Sequence, residues 1–249
     1  MKVLKFKLSG NTAFFKNNEV NAYYYFTYGN IHKVALLGML GAIMGYGGYQ
    51  KQQNENAIYP EFYDRLKDLK IAIEPLTEVG QFSKKIHTFN NSAGYASDEN
   101  GRNLIVKEQW LEEPAWNIYF LIDSEVGEEL AEKIINRECV YIPYLGKNDH
   151  PANIEDIEII ENVEKVSDKN LIINSLFKYE ERESYIIEDD DEEEEEDLKI
   201  IYRYTEYLPI GLDEKNNMYE LAKFVFTNER ISKFNSQVFK AGEKNIVFY

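Results

Sequence analysis

Apolar and polar residues alternate at the start of the chain. In VLKFKLS, the apolar Leu4, Phe6 and Leu8 alternate with Lys5 and Lys7. Side chains of a strand point to opposite faces in turn, so this pattern predicts a strand with one buried face. We expect the sheet that contains it to have a basic outer face.

The next pattern is an apolar stretch rich in glycine. Residues 34–48 carry no charge, but a membrane-spanning helix needs about 20 apolar residues, so no membrane span is predicted. The glycine spacing also differs from that of the phosphate-binding loops. We predict a helix that is buried all round, with Asn30 as its N-cap. Gly38, Gly41 and Gly45 would share one side of it and permit close approach to another backbone.

Five further segments show the period of a strand or of a helix. They are a helix at 60–69, a strand at 69–75, a hairpin made of 103–111 and 116–123, a helix at 125–137 and a strand at 139–146. With the extra hairpin treated as an insertion, the order is β-α-β-β-α-β. It predicts an α+β, ferredoxin-like core of the RNA-recognition type over residues 1–150. Residues 151–249 favour strands and predict a smaller β-rich C-terminal part.

Charge is distributed unevenly along the chain. The net charge is −16, yet residues 1–110 hold 13 Lys/Arg against 10 Asp/Glu, and residues 111–249 hold 15 against 34. Ten acids form the unbroken run at 188–197. A run of like charge repels itself and stays solvated, so we predict a disordered acidic loop at about 186–198. It is an inert surface insertion, a polyanion that competes with RNA for a basic groove, or a docking tail. The basic first half remains compatible with nucleic acid.

Cysteine and histidine are rare. The single cysteine, Cys139, forms no internal disulfide, which favours a reducing, cytoplasmic location. Three histidines and one cysteine make a structural zinc site improbable. No hydrolase, metalloprotease or kinase motif occurs. Asp149 and His150 are adjacent in a loop, where turn formation is the simpler interpretation. We predict neither a metal nor a cofactor.

Aromatic residues interleaved with lysine and asparagine are typical of surfaces that bind single-stranded nucleic acid. Such groups occur at 14–18, at 84–87 and at 107–110. His32 and Lys33 lie at the predicted entrance of the first helix, where exposed N–H groups could hold a phosphate. A plain surface turn is the alternative there, and core packing is the alternative for the aromatic residues.

Three stretches together resemble the Cas-five family of CRISPR-associated proteins, and the type I-B branch most closely. They are LKFKLSGNTAFFK, HKVALLGMLGAIMGYGGY and YIPYLGKNDHPA. The resemblance covers about residues 1–155 well and the C-terminal third loosely. It implies a RAMP-type protein with a ferredoxin-like core and a protruding β-hairpin thumb, inserted at about 80–115.

The resemblance also implies a function. A family member holds the 5′ handle of the CRISPR RNA (crRNA) in the Cascade surveillance complex, as an RNA-binding structural subunit in antiviral defence. Its partners are the backbone subunit, the large subunit and target DNA near the protospacer-adjacent motif. Matched residues and the lysine–aromatic groups give the predicted RNA-binding set: Lys5, Asn11, Phe14, Lys16, His32, Lys33, Lys84, Lys85, His87, Lys107, Trp110, Lys147 and Asn148.

Two departures from the family pattern leave alternatives open. Many relatives carry prolines just before the first helix, where this chain has TYGNIH. The type I-C branch cuts precursor RNA without metal through a Tyr/Lys/His site, a trio that cannot be placed on this sequence. The alternative functions are therefore a metal-independent endoribonuclease that processes precursor crRNA, and a scaffold that contacts only protein.

Overall fold

The computed structural model describes residues 1–18, 23–90, 105–167, 170–179, 185–187 and 200–249. The predicted disordered loop at about 186–198 lies outside the described residues except for residues 186 and 187, which belong to a short strand. The elements in chain order are β1 (Val3–Ser9), β2 (Thr12–Ala13), α1 (Lys33–Met44), α2 (Tyr49–Glu55), α3 (Glu61–Leu66), β3 (Ile71–Pro75), β4 (Lys84–Asn90), β5 (Ile105–Glu112), β6 (Ala115–Leu121), α4 (Glu125–Ile135), β7 (Asn153–Ile160), β8 (Glu164–Val166), β9 (Phe177–Lys178), β10 (Tyr185–Ile187), β11 (Arg203–Leu212), β12 (Tyr219–Thr227), β13 (Arg230–Lys233), β14 (Val238–Ala241) and β15 (Lys244–Val247).

The main sheet has the strand order β3-β6-β1-β7, and all its pairs are antiparallel. Strands β1 and β3 therefore run parallel with β6 between them, and α1 lies on the connection from β1 to β3. In the same way α4 lies on the connection from β6 to β7, with β1 between those strands. Two such split β-α-β units define the ferredoxin-like arrangement, which confirms the predicted α+β fold class.

The predicted two-faced character of β1 is confirmed on its buried side. Leu4, Phe6 and Leu8 are fully buried. The predicted basic outer face is wrong, because Lys5 Nζ lies 3.5 Å from a carboxylate oxygen of Glu158, and Lys7 Nζ lies 3.7 Å from one of Glu155. Both glutamates belong to β7, so acidic residues from the neighbouring strand offset the lysines.

Helix α1 begins at a different cap from the predicted one. The N-cap is His32, whose Nδ1 accepts a hydrogen bond from the Ala35 N–H. Asn30 is instead fully buried, and its Oδ1 accepts a hydrogen bond from the Trp116 indole at 2.9 Å. The helix ends at Gly45 in the left-handed conformation, at φ 81°, which glycine adopts at little cost.

One side of α1 packs closely against α3, and another side is partly exposed. A Cβ atom at Gly41 would overlap Cβ of Phe62, next to the first turn of α3, which confirms the predicted close approach for this glycine. The prediction of a helix buried all round is wrong, because Ala35, Gly38 and Ala42 are partly exposed. These three recur at helical spacing and form one accessible stripe.

The predicted hairpin of two adjacent segments is wrong as well. Strand β6 pairs with β1 and β3, whereas β5 pairs with β4 and β2 in a separate sheet of order β2-β5-β4. The chain changes sheets at Glu113, which has φ 46°. Strand β4 falls in a segment that the sequence pattern describes only as polar.

Residues 139–146 form a loop and not the predicted strand. The N–H groups of Val140 and Tyr141 donate to the carbonyls of Ile43 and Ala42, at 3.0 and 3.2 Å. The loop therefore satisfies carbonyls at the C-terminal end of α1. Its place in the main sheet is taken by β7, which lies beyond the predicted domain boundary at residue 150.

The C-terminal part is β-rich and shares the apolar core. It contains two three-stranded sheets, of order β11-β12-β9 and β15-β14-β8. Leu208 and Phe224 from the first of these belong to the same buried cluster as Leu4 of β1 and Leu40 of α1. In the described ranges no helix is long and apolar enough to cross a membrane.

Candidate nucleic-acid interface

The first and third of the three family-like stretches are in direct contact. The Phe14 N–H donates to the Leu145 carbonyl at 3.2 Å. A Cβ atom at Gly10 would lie 2.7 Å from a methyl carbon of Leu145, and one at Gly146 would overlap the Phe14 carbonyl. Gly146 also has φ 88°. Both glycines therefore allow the turn after β1 and the loop before β7 to interlock.

An open groove lies beside this contact. Its volume is about 960 Å³, near the upper end of the roughly 300–1,000 Å³ typical of ligand sites. The partly exposed stripe of α1 forms its floor. Its walls come from the turn after β1, the aromatic segment at 23–28, β4, β5 and the loop at 141–147. We call it the α1 groove, and the lining residues used below are Phe14, Lys16, Tyr25, His32, Ala35, Gly38, Ala42, Tyr46, Tyr49, Phe89, Glu108, Tyr141, Tyr144, Lys147 and Tyr219.

Two lysines, one lining the α1 groove and one next to it on β5, lie over tyrosine rings. Lys16 Nζ is 4.5 Å from the centroid of Tyr25, and Lys107 Nζ is 5.1 Å from that of Tyr24. The segment at 23–28 does not form a regular strand, but the N–H of Tyr25 donates to the Lys107 carbonyl at 2.9 Å. Backbone pairing with β5 thus holds the tyrosines beside the lysines.

Lys147 is the third lysine of this kind, and a buried carboxylate holds it. Its Nζ lies 5.5 Å from the centroids of both Phe14 and Phe89. The same Nζ donates to both carboxylate oxygens of Glu108 at 3.0 Å. Glu108 also accepts a hydrogen bond from the Trp110 indole at 2.8 Å. The ammonium group is therefore fixed in position and its charge is compensated.

Two histidines enclose the Trp110 ring. The His87 ring stacks on it with centroids 4.0 Å apart, and the His150 ring meets it edge-on at 4.6 Å. His150 Nδ1 is hydrogen-bonded to the hydroxyl of Thr12 at 2.6 Å. Burial, together with the nearby Lys147 ammonium, lowers the pKa of His150. This cluster joins β2, β4 and β5 to the loop before β7.

The predicted phosphate site at the entrance of α1 is not supported. His32 is 2% exposed and packs edge-on against Phe15, Tyr28 and Tyr219. Burial lowers its pKa to about 3, so the ring is neutral at pH 7. Lys33 Nζ donates to the Tyr249 carbonyl at 3.1 Å, and burial lowers the pKa of this lysine.

The structure brings together only some of the predicted RNA-binding residues. Lys85 of β4 lies 3.7 Å from a carboxylate oxygen of Glu112, and Lys84 is exposed on the same strand. Asn11 and Asn148 are exposed in loops. Four predicted residues line the α1 groove, five lie on β4 and β5, and four lie elsewhere. In that order they are Phe14, Lys16, His32 and Lys147; Lys84, Lys85, His87, Lys107 and Trp110; and Lys5, Asn11, Lys33 and Asn148.

Several groove residues are absent from the predicted set. Tyr24 and Tyr25 belong to the aromatic segment YYYFTY, whose density of tyrosine is a signal that sequence analysis can use. Phe89 and Glu108 carry no such signal. Among the residues that the structure describes, no three His, Cys, Asp or Glu side chains are grouped as a metal site.

Two solved structures share this fold. One belongs to a CRISPR RNA-guided surveillance complex; it is 13% identical, covers 92% of this chain and 91% of that one, and has a TM-score of 0.52. The other is a CRISPR protein from Archaeoglobus fulgidus, 10% identical over 99% of both chains, with a TM-score of 0.54. No protein-family model and no curated protein matches the chain. At these identities the likeness shows a common fold.

Proposed function

We propose that this protein is an RNA-binding structural subunit of a type I-B CRISPR Cascade complex, where it holds the 5′ handle of the crRNA. The three family-like stretches and the fold shared with CRISPR proteins support this assignment. Its partners would be the backbone subunit, the large subunit and target DNA near the protospacer-adjacent motif.

The observation that carries the proposal is two lysine–aromatic pairs, of which Lys16 and Tyr25 line the α1 groove and Lys107 and Tyr24 lie next to it. Lys16 over Tyr25 and Lys107 over Tyr24 combine a cation for a phosphate with a ring on which a base can stack. Single-stranded nucleic acid is bound by this combination of charge and stacking. Tyr23 is 86% exposed, so the aromatic segment is accessible to a ligand.

The test measures binding of a fluorescent RNA that bears the repeat-derived handle, at several salt concentrations. Each phosphate contact on a single strand contributes about 0.7 to the slope of log affinity against log salt. Replacing Lys16 and Lys107 together by glutamine should therefore weaken binding and reduce the slope by about 1.4.

A matched control replaces two other lysines that also lie over tyrosines. Lys67 is 4.9 Å from the Tyr59 centroid and Lys223 is 5.2 Å from that of Tyr179. Neither lysine lines the α1 groove or lies on β5 beside it, since Lys67 follows α3 and Lys223 lies on β12. The double glutamine variant at these positions has the same charge change and should keep the wild-type slope. Equal losses in both variants, or no binding by the wild type at low salt, would refute the proposal.

The alternative, a metal-independent endoribonuclease, makes a separate prediction. It requires specific cleavage of precursor repeat RNA in EDTA, and His87→Ala should abolish that cleavage. His32 is an unsuitable general acid or base, because it is buried and its Nδ1 accepts the α1 cap hydrogen bond. Intact precursor RNA at high protein excess would exclude this alternative.

A further inference from the structure

The floor of the α1 groove is smooth, apolar and accessible. The partly exposed Ala35, Gly38 and Ala42 present no side chain larger than a methyl group, and the larger Val34 and Met39 of α1, which also line the groove, are buried. Residues 34–44 carry no charged group. The nearest heavy atom to a Cβ built at Gly38 would be 3.8 Å away, on the Phe62 ring, so a small side chain fits there without displacement.

Aromatic rings stand on both sides of this floor. Tyr25 and Phe89 line one side, and Tyr46, Tyr49 and Tyr219 line the other. Planar rings beside a flat apolar floor match the shape and polarity of nucleobases, each of which has a π-face suited to stacking.

Cations are confined to the rim of the groove. Of the described residues that line it, the cationic ones are Lys16 and Lys147, and His32 is neutral at pH 7 because burial lowers its pKa to about 3. A phosphate on the floor would lose water without gaining a counter-charge, which is unfavourable. A nucleobase on the same surface would lose little favourable hydration.

We infer that the α1 groove binds unstacked nucleobases on its floor while phosphates stay at the lysine rim. This inference rests on the proposed RNA-binding function and adds a direction to it: the strand enters with its bases turned toward α1. The volume of about 960 Å³ leaves room for more than one base, since pockets for whole drug-sized ligands measure roughly 300–1,000 Å³.

The experiment combines a groove-filling variant with RNAs that lack single bases. Handle RNAs with one abasic position each keep every phosphate, so an affinity loss at a position reports a base contact. We expect one or two positions at which removal of the base weakens wild-type binding about tenfold, the lower range for base stacking. In Gly38→Leu, intact RNA should bind about tenfold more weakly, and removal of those same bases should cause almost no further loss.

Two variants serve as controls for folding and position. Gly38→Ala adds only a methyl group and should bind like the wild type. Ala42→Leu fills the same floor from the next turn and replaces Gly38→Leu if the latter does not fold, as judged by thermal unfolding.

Each further outcome has a defined meaning. Wild-type binding that is insensitive to every abasic substitution overturns the inference but leaves the salt-dependent function intact. The inference also fails if the groove-filling variants retain the full abasic penalty, because the bases then bind elsewhere. Absence of RNA binding by the wild type refutes the proposed function and this inference together.

Discussion

His32 offers a direct test of how the entrance of α1 is built. The structure makes this histidine a neutral, buried N-cap, with a pKa lowered to about 3 by burial. A histidine that stood exposed at a phosphate site would keep an ordinary pKa in the free protein instead, because neither burial nor a bound anion would shift it. The two roles therefore predict different responses of the free protein's stability to acid.

The magnitude follows from proton linkage. In the unfolded chain His32 titrates near pH 6.5 and takes up a proton below that pH, whereas the folded ring stays neutral down to about pH 3. Its contribution to stability is complete above pH 6.5 and falls as the pH drops between those values, by about 1.4 kcal/mol per pH unit. At pH 5.5 the loss from this residue is therefore about 1.4 kcal/mol.

The control variant is His32→Asn, since asparagine is an equally good N-cap and does not titrate. Urea unfolding of both proteins at pH 7.5 and pH 5.5, followed by tryptophan fluorescence, gives the change in unfolding free energy with pH. We expect the wild type to lose about 1.4 kcal/mol more than the variant over this interval. The variant starts from a lower stability at pH 7.5, because it lacks the ring contacts with Tyr28 and Tyr219. Equal losses in both proteins, or a gain by the wild type in acid, would refute the assignment of His32 as a neutral cap.

Two pairs of glycine substitutions test packing at the site. Gly38→Ala should raise the free energy of unfolding by up to about 1 kcal/mol, because alanine has the higher helix propensity. Gly41→Ala should lower it by about 1–3 kcal/mol, because the added Cβ overlaps Phe62. Similar effects at both positions would contradict the packing of α1. Gly146→Ala and Gly242→Ala both place alanine at a left-handed position, which costs about 1–2 kcal/mol. The added Cβ at Gly146 also overlaps the backbone of Phe14, whereas nothing lies within 4 Å of a Cβ at Gly242. Gly146→Ala should therefore be clearly the more destabilising in urea unfolding. Equal costs would contradict the interlocked turn.

Local periodicity was sufficient to predict β1 and α4, because each buries one recurring face of its own sequence, whereas α1 was predicted from an uncharged, glycine-rich stretch. It failed where the outcome depends on distant partners. Strands β5 and β6 are adjacent in sequence and both show a strand pattern, yet they pair in different sheets. The N-cap of α1 is His32 and not Asn30, because the Asn30 side chain accepts a hydrogen bond from Trp116 of β6.

The candidate site also combines residues that the sequence could identify with residues whose role depends on distant partners. The predicted RNA-binding set includes Phe14 and Lys147, and the structure brings these two residues together at the α1 groove. The charge on Lys5 could not be judged from the sequence, since its partner Glu158 lies 153 residues away. Glu108 was missed for the same reason, because it shares an ion pair with a lysine 39 residues further along the chain.

The most direct test of the central claim maps where the RNA lies. Handle RNA carrying 4-thiouridine at single positions would be cross-linked to the protein by light, and the modified peptides identified by mass spectrometry. We predict cross-links to Tyr25 or Phe89, which line the α1 groove, or to Tyr24 next to it, with loss of these cross-links when unlabelled handle RNA competes. Cross-links confined to α4 or to the β15-β14-β8 sheet would place the RNA on another surface and contradict the account.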